Sequence, residues 1–278
     1  MQRPEIADVR ALLSSAGMRA PALAAVGEGR TAWTYLVDDE WIVQIPRYQH
    51  VAEAARTQAA VLPVVAEHVP FAVPAPEVIA HHHGHPVVRH RKLPGRALQP
   101  GDRWRDLAAV LRALHRVPVE AVAPLLGLDT APPWRQRWAQ FRDQLDASPH
   151  VPDDLRRPLV TALDQLPDPE ELTFVHADLA AEHVLVDPGT RRPTGLIDFD
   201  WATVGDPALD FVGLLSALGP AATRELIAEH GQVSWQRLQV QWCLNPCHAL
   251  VHAGAHLDPT TRQEQLTTAR ARLDALPR

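Results

Sequence analysis

The stretch that decides the fold runs Phe174-Val-His176-Ala-Asp178-Leu-Ala-Ala-Glu-His183-Val-Leu-Val-Asp187 and resumes at Gly195-Leu-Ile-Asp198-Phe-Asp200. Apolar runs flank each polar cluster: Leu172 and Phe174-Val175 before the first, Val184-Leu-Val186 after it, and Leu196-Ile197 before the last. Short apolar runs bounded by turn residues predict short buried strands. Such strands would hold Asp178, His183 and Asp198 rigidly and close together. A carboxylate at the mouth of a buried strand can accept a proton. A second carboxylate and a neutral imidazole can hold a metal, although magnesium prefers oxygen ligands. Each residue alone has a structural reading: Asp178 caps a turn, His183 is a satisfied core histidine, Asp198 ends a strand. All three in this order between apolar runs point to a task, because burying charge without a partner is costly.

Upstream of this island the pattern is that of a small sheet. Ile6, Val9, Leu12 and Leu13 make one face of a helix over residues 6–16. Residues 23–26, 33–37 and 41–45 read as an antiparallel meander, with Gly27-Glu-Gly29 in its first turn and Asp38-Asp39 in its second. Residues 50–66 have helical spacing, and two further strands flank the turn His81-His82-His83-Gly84-His85. From Trp104 onward most segments have helical spacing: 104–115, 133–146, 153–165, 207–218, 221–230, 234–254 and 260–275. The expected class is therefore α+β, with a small antiparallel β lobe over 1–95 and a larger, mainly helical lobe over 96–278 that contains the 174–200 island.

With 46% hydrophobic and 22% charged residues among 278, the composition is that of a soluble globular chain and excludes a disordered or fibrous one. No run approaches ~18 apolar residues without a charge, which argues against a membrane span. The N-terminus carries charges through its apolar part, unlike a signal peptide. Two cysteines cannot build a disulfide framework, so a reduced, cytoplasmic setting is expected. The net charge of −6 disfavours a nucleic-acid partner and tolerates a cationic small molecule.

His176-x-Asp178-x4-His183, then Ile197-Asp198, then Gly205-Asp206-Pro207-Ala-Leu-Asp210, resembles the antibiotic phosphotransferase family with a protein-kinase-like fold. A histidine at position 183 is similar to the macrolide 2′-phosphotransferases and some aminoglycoside phosphotransferases. Ile42-Val-Gln-Ile-Pro-Arg47 and Val69-Pro-Phe-Ala-Val-Pro74 also resemble the macrolide branch. The resemblance implies that Asp178 orients and deprotonates an acceptor hydroxyl. It implies that His183 and Asp198 hold Mg²⁺ against the phosphates of ATP or GTP. It makes Gly27, Gly29 and Arg30 a turn over those phosphates. The backbone of Arg91, Lys92 and Leu93 becomes a hinge that meets the base. His176, Asp206 and Asp210 take structural roles, with Asp206-Pro207 starting a helix. Asp200 and Trp201 are candidates for the acceptor's amine and apolar body. The implied reaction is phosphoryl transfer to a hydroxyl of an antibiotic, a macrolide 2′-hydroxyl first and an aminoglycoside or other hydroxylated metabolite second.

The sequence departs from the family at one pair. A basic residue normally stands on the third strand, paired with a glutamate on the next helix; here the positions hold Gln44 and Gln58. Lys92 is the chain's only lysine and falls in the hinge. Arg30, Arg47 or Arg56 could reach the phosphates instead. Gln44 and Gln58 could pair as neutral amides. Or nucleotide binding is weak and the chain is a pseudokinase-like binding module. Elsewhere, Cys243 and Cys247 read as core thiols rather than metal ligands, and the histidine-rich turn as solvated surface.

Overall fold

The structure is a computed structural model and describes residues 3–26, 31–128, 134–166, 168–253 and 257–275. The amphipathic helix α1 (Ile6–Ser15) buries Val9 and Leu13 against strands β1 (Leu23–Ala25), β2 (Ala32–Val37) and β3 (Trp41–Pro46). Alternate residues of β2 and β3, among them Tyr35, Val37, Val43 and Ile45, point into this core, as a half-buried strand requires. Helix α2 (Gln49–His68) follows, then β4 (Glu77–His82) and β5 (His85–Arg91). The five strands form one antiparallel sheet in the order β1-β2-β3-β5-β4. Placing β5 beside β3 puts Gln44 opposite Val88 and carries the chain out of the sheet next to Trp41, where Arg91 pairs.

The second layer opens with β6 (Arg96–Ala97), a strand too short to announce itself by periodicity. Helices α3 (Leu107–His115), α4 (Val119–Val122), α5 (Trp134–Ala147) and α6 (Asp153–Asp164) precede the island, which supplies β7 (Thr173–Val175), β8 (Val184–Val186), β9 (Pro193–Leu196) and β10 (Thr203–Gly205). These strands pair in two small sheets, β10-β7 and β6-β8-β9. Helices α7 (Val212–His230), α8 (Trp235–Ala253) and α9 (Pro259–Asp274) close the chain. One core runs through α3, the island and α7, around Leu111, Phe174, Phe199 and Phe211. A second joins α5, α6 and α8 and contains Cys243 and Cys247, whose thiols burial pushes up to about 12. The expected α+β class with two lobes is the observed one.

One contact joins the sheet layer to the helical layer. Ala72, after α2, donates and accepts across to the second layer (Ala72 N–H to Thr194 O and Leu196 N–H to Ala72 O, 2.9 Å each). This approach requires Gly195, where a Cβ would lie 2.9 Å from Ala72 O. Within the helical layer, the segment Pro207–His230 is 24 residues long and, by length and composition alone, apolar enough to cross a membrane. That qualifies the expectation that no such stretch exists. Here the segment begins as a 3-10 turn and kinks at Gly219 (φ 79°, ψ 169°) before Pro220, so it is not one straight helix.

Candidate active site

The loop after β7 carries His176, Ala177 and Asp178, and its backbone is tied down from below. Asp210, fully buried, accepts from the His176 N–H (3.1 Å) and the Ala177 N–H (2.7 Å). His115 Nε2 also bonds Asp210 (2.9 Å), and its Nδ1 meets His230 Nε2 at 2.9 Å. Asp210 reaches this position because Asp206 caps the turn Pro207–Phe211, accepting from the Ala208 N–H, while Arg237 grips Asp206 from α8. His176 is buried and donates through Nε2 to Ile197 O (2.8 Å), with burial holding its pKa down. It thereby fastens the loop after β7 to the loop after β9. Ala177 sits at φ 65° and Asp198 at φ 69°, left-handed conformations that non-glycine residues adopt at some cost and that cluster at functional sites.

A 3-10 turn, Ala181–His183, then delivers His183 toward Asp198. His183 Nδ1–H donates to Asp178 O (2.8 Å), which fixes the tautomer and leaves the Nε2 lone pair facing Asp198 Oδ2 at 3.4 Å. The pair is set as two ligands of one cation are set, and no third His, Cys, Asp or Glu joins it among the described residues. A cation that keeps water and takes phosphate oxygens for its other positions fits two protein ligands, as Mg²⁺ does. Asp178 stands over the same turn. Partial burial raises its pKa above the ordinary carboxylate range, against the opposing pull of His183 and His176.

Beside Asp178 opens a groove of ≈ 360 Å³. Its near wall is the loop with Asp178 and Glu182; its far wall is Ser216 on α7, Asn245 on α8 and Arg272 on α9. None of the last three was legible as a site residue, because nothing in local spacing reports which helix faces meet across a groove. Glu182 lay inside the decisive stretch without a signal to mark it.

Other expected residues lie elsewhere. Asp200 does not reach this groove. It accepts a 2.6 Å bond from Gln58 Nε2 across the lobes and lines a cavity with Gln44, while burial and the neighbouring Asp198 raise its pKa. Gln58 thus turns to Asp200 rather than forming an amide pair with Gln44. Trp201 is 65% exposed and lines neither cavity. Arg56 bonds Ala52 O and Gly84 O, at the β4–β5 turn rather than the cleft. Arg47 packs over the rings of Trp33 and Tyr48. In the hinge, the Lys92 N–H donates to Glu40 O (2.7 Å) and the Arg91 carbonyl meets His90 Nδ1 (2.9 Å). Of the three expected base contacts, Leu93 has neither commitment. Gly27, Gly29 and Arg30 lie outside the described residues.

A model of the phosphotransferase enzyme family matches residues 22–241. An aminoglycoside 3′-phosphotransferase of Streptomyces fradiae is 31% identical over 142 residues, 45% of this chain and 51% of that protein. The uncharacterized protein YcbJ of Bacillus subtilis (strain 168) is 36% identical over 70 residues, 24% of this chain and 22% of that protein. The matched region thus spans about half, or less, of these curated relatives. Among solved structures, the GDP complex of wild-type aminoglycoside 2′-phosphotransferase-IIIa superposes with a TM-score of 0.85 at 21% identity, over 98% of this chain and 99% of that one. Macrolide 2′-phosphotransferase type I does so with a TM-score of 0.77 at 26% identity, over the whole of both chains.

Proposed function

The chain belongs to the phosphotransferase enzyme family, and we propose that it moves the γ-phosphoryl group of a purine nucleotide to a hydroxyl of a small molecule seated beside Asp178. The observation that carries this reading is the His183–Asp198 pair at 3.4 Å with Nδ1 of the imidazole pinned to Asp178 O. His183 Nε2 and the Asp198 carboxylate would hold Mg²⁺, which when bound supplies counter-charge to the β- and γ-phosphate oxygens. Asp178 points the acceptor hydroxyl at the γ-phosphorus and takes its proton as the new O–P bond forms; the leaving nucleoside diphosphate keeps the electron pair of the broken bond. Asp210 keeps the loop under Asp178 from shifting, which matters because alignment supplies most of the rate in such a transfer.

The donor reading rests on relatives of the same fold described in complex with GDP, ADP or ATP, and GTP is proposed as an accepted donor. For the acceptor, a macrolide 2′-hydroxyl is favoured over an aminoglycoside. The groove sets the carboxylates Asp178 and Glu182 beside one cation, Arg272, so it suits a single amine near the reacting hydroxyl, whereas a ligand with ammonium groups along its length would also have to approach Arg272. A second reading, a module that binds without turnover, is favoured by one observation: a carboxylate and two amides line the cavity where phosphates would seek positive charge. The test is mass gain of one phosphoryl group on erythromycin and on kanamycin with Mg·GTP and Mg·ATP. The Asp178→Asn variant should keep its Tm and lose about three orders of magnitude in turnover. Product formation at near wild-type rate by that variant removes Asp178 from the chemistry. Binding of nucleotide with no product from either acceptor favours the module.

A further inference from the structure

The far wall of the groove is made of donors. Arg272 lies over Trp242 (4.8 Å to the ring centroid) and donates through Nη1 to Trp242 O (2.7 Å) and Asn245 Oδ1 (3.3 Å), and through Nη2 to Ser216 Oγ (3.3 Å). Ser216 Oγ also accepts from Trp242 Nε1 (2.9 Å). The side-chain oxygens of Asn245 and Ser216 are thus engaged inside the wall. What the wall has left is hydrogen: the Nε–H and one Nη2–H of Arg272, and the amide hydrogens of Asn245, none with a partner among the described residues.

Elsewhere in this chain the Nε and Nη2 fork of an arginine is where carboxylates sit. Asp164 takes it on Arg142 (2.8 and 3.2 Å), and Asp154 takes it on Arg270 (2.8 and 3.4 Å). The planar fork matches a carboxylate two bonds at a time. No carboxylate of the described residues pairs with Arg272, although it is half-buried. A half-buried guanidinium with unclaimed N–H groups, lining the same groove as Asp178, calls for an oxygen from a ligand.

We infer that Arg272, with Asn245, is the specificity-determining anchor of the acceptor. It takes a carbonyl or carboxylate oxygen of the molecule whose hydroxyl faces Asp178, and it turns away acceptors with ammonium groups at that end. The inference rests on the reading of this groove as the acceptor site. It narrows the acceptor to an oxygen-rich molecule with at most a single amine near the reacting hydroxyl, where Glu182 stands.

The probes are three pyranoses of one size: glucuronate, glucuronamide and glucosamine, titrated calorimetrically into the full chain with Mg·GDP present. Glucuronate, glucuronamide or both should bind at least tenfold more tightly than glucosamine, and whichever is tighter tells a carboxylate from a neutral carbonyl. Arg272→Gln should abolish the preference and Arg272→Glu reverse it, with the Kd for Mg·GDP unchanged in both. Asn245→Asp, which offers the fork an internal carboxylate without touching α9, should abolish it too and covers the case in which the Arg272 variants fold poorly. Glucosamine binding as tightly as the others, a preference that survives Arg272→Gln and Asn245→Asp, or no binding of any probe at tens of millimolar overturns the inference. Failure of Mg·GDP itself to bind strikes the phosphotransferase reading instead, and the sugar preference is then measured without nucleotide.

Discussion

At the scale of single residues, the site combines what is legible locally with what only the fold reveals. Asp178, His183 and Asp198 stand out in the sequence because short strands on either side fix the loops that carry them, so their neighbourhood is written within a few residues. Gln44, Gln58 and Asp200 are different. The sequence reports that a charged pair is missing, but not that Asp200 crosses the lobes to take Gln58 at 2.6 Å. That arrangement makes a sharp prediction. Gln44 lines the cavity that holds Asp200 and Gln58, where burial raises the Asp200 pKa. Lysine at this position would meet a carboxylate already at hand. Gln44→Lys should raise Tm and tighten Mg·GTP binding by about five- to tenfold, in line with a partly buried ion pair of ~1 kcal/mol. Unchanged nucleotide affinity in a folded Gln44→Lys variant would mean that phosphates do not approach this cavity.

At the scale of elements, the loop that carries Asp178 depends on how closely α7 can come. Gly213, in the first turn of α7, has no room for a methyl group: a Cβ there would lie 2.2 Å from Leu179 O. Leu179 is backbone of the loop next to Asp178, so the contact cannot be relieved by a rotamer change. Gly213→Ala should displace the loop and cost ~2 kcal/mol or more, as overpacking does. Its turnover and its affinity for Mg·GTP should both fall, since the displaced segment carries Asp178 and the carbonyls of Asp178 and Ala180 that hold His183. A variant with wild-type Tm and turnover would show that the loop has slack. Helical spacing was legible for most of these elements, with 207–218 and 221–230 read as two separate helices where the structure has one segment kinked at Gly219. It did not disclose β6 or β10, which are two and three residues long and take their strand character from partners rather than from their own pattern.

For the whole molecule, buried histidines set a pH limit. Burial, with His115 beside it, lowers the His230 pKa to about 4, and burial against Phe141 lowers that of His248 to about 4. The unfolded chain binds these protons near 6.5 and the folded chain does not until about 4, so unfolding takes up protons as the pH falls. Stability is therefore whole above pH 6.5 and drains away between 6.5 and 4. Tm should fall steadily from pH 7 to 5, and His248→Gln should flatten the slope; a Tm independent of pH over that range contradicts the burial of these rings. The way α7, α8 and α9 together make a donor wall opposite Asp178 is a property of the assembled chain, which is why Arg272, on the last helix, carries no mark in the sequence. The central claim, that His183 and Asp198 jointly hold a divalent ion for a nucleotide, is tested most directly by calorimetric titration of GTP with Mg²⁺ and with EDTA, in the wild type and in Asp198→Asn. The account predicts a Kd at least tenfold tighter with Mg²⁺ in the wild type and little or no such gain in the variant. Equal affinity with and without Mg²⁺ in the wild type, or an undiminished Mg²⁺ effect in Asp198→Asn, would contradict it.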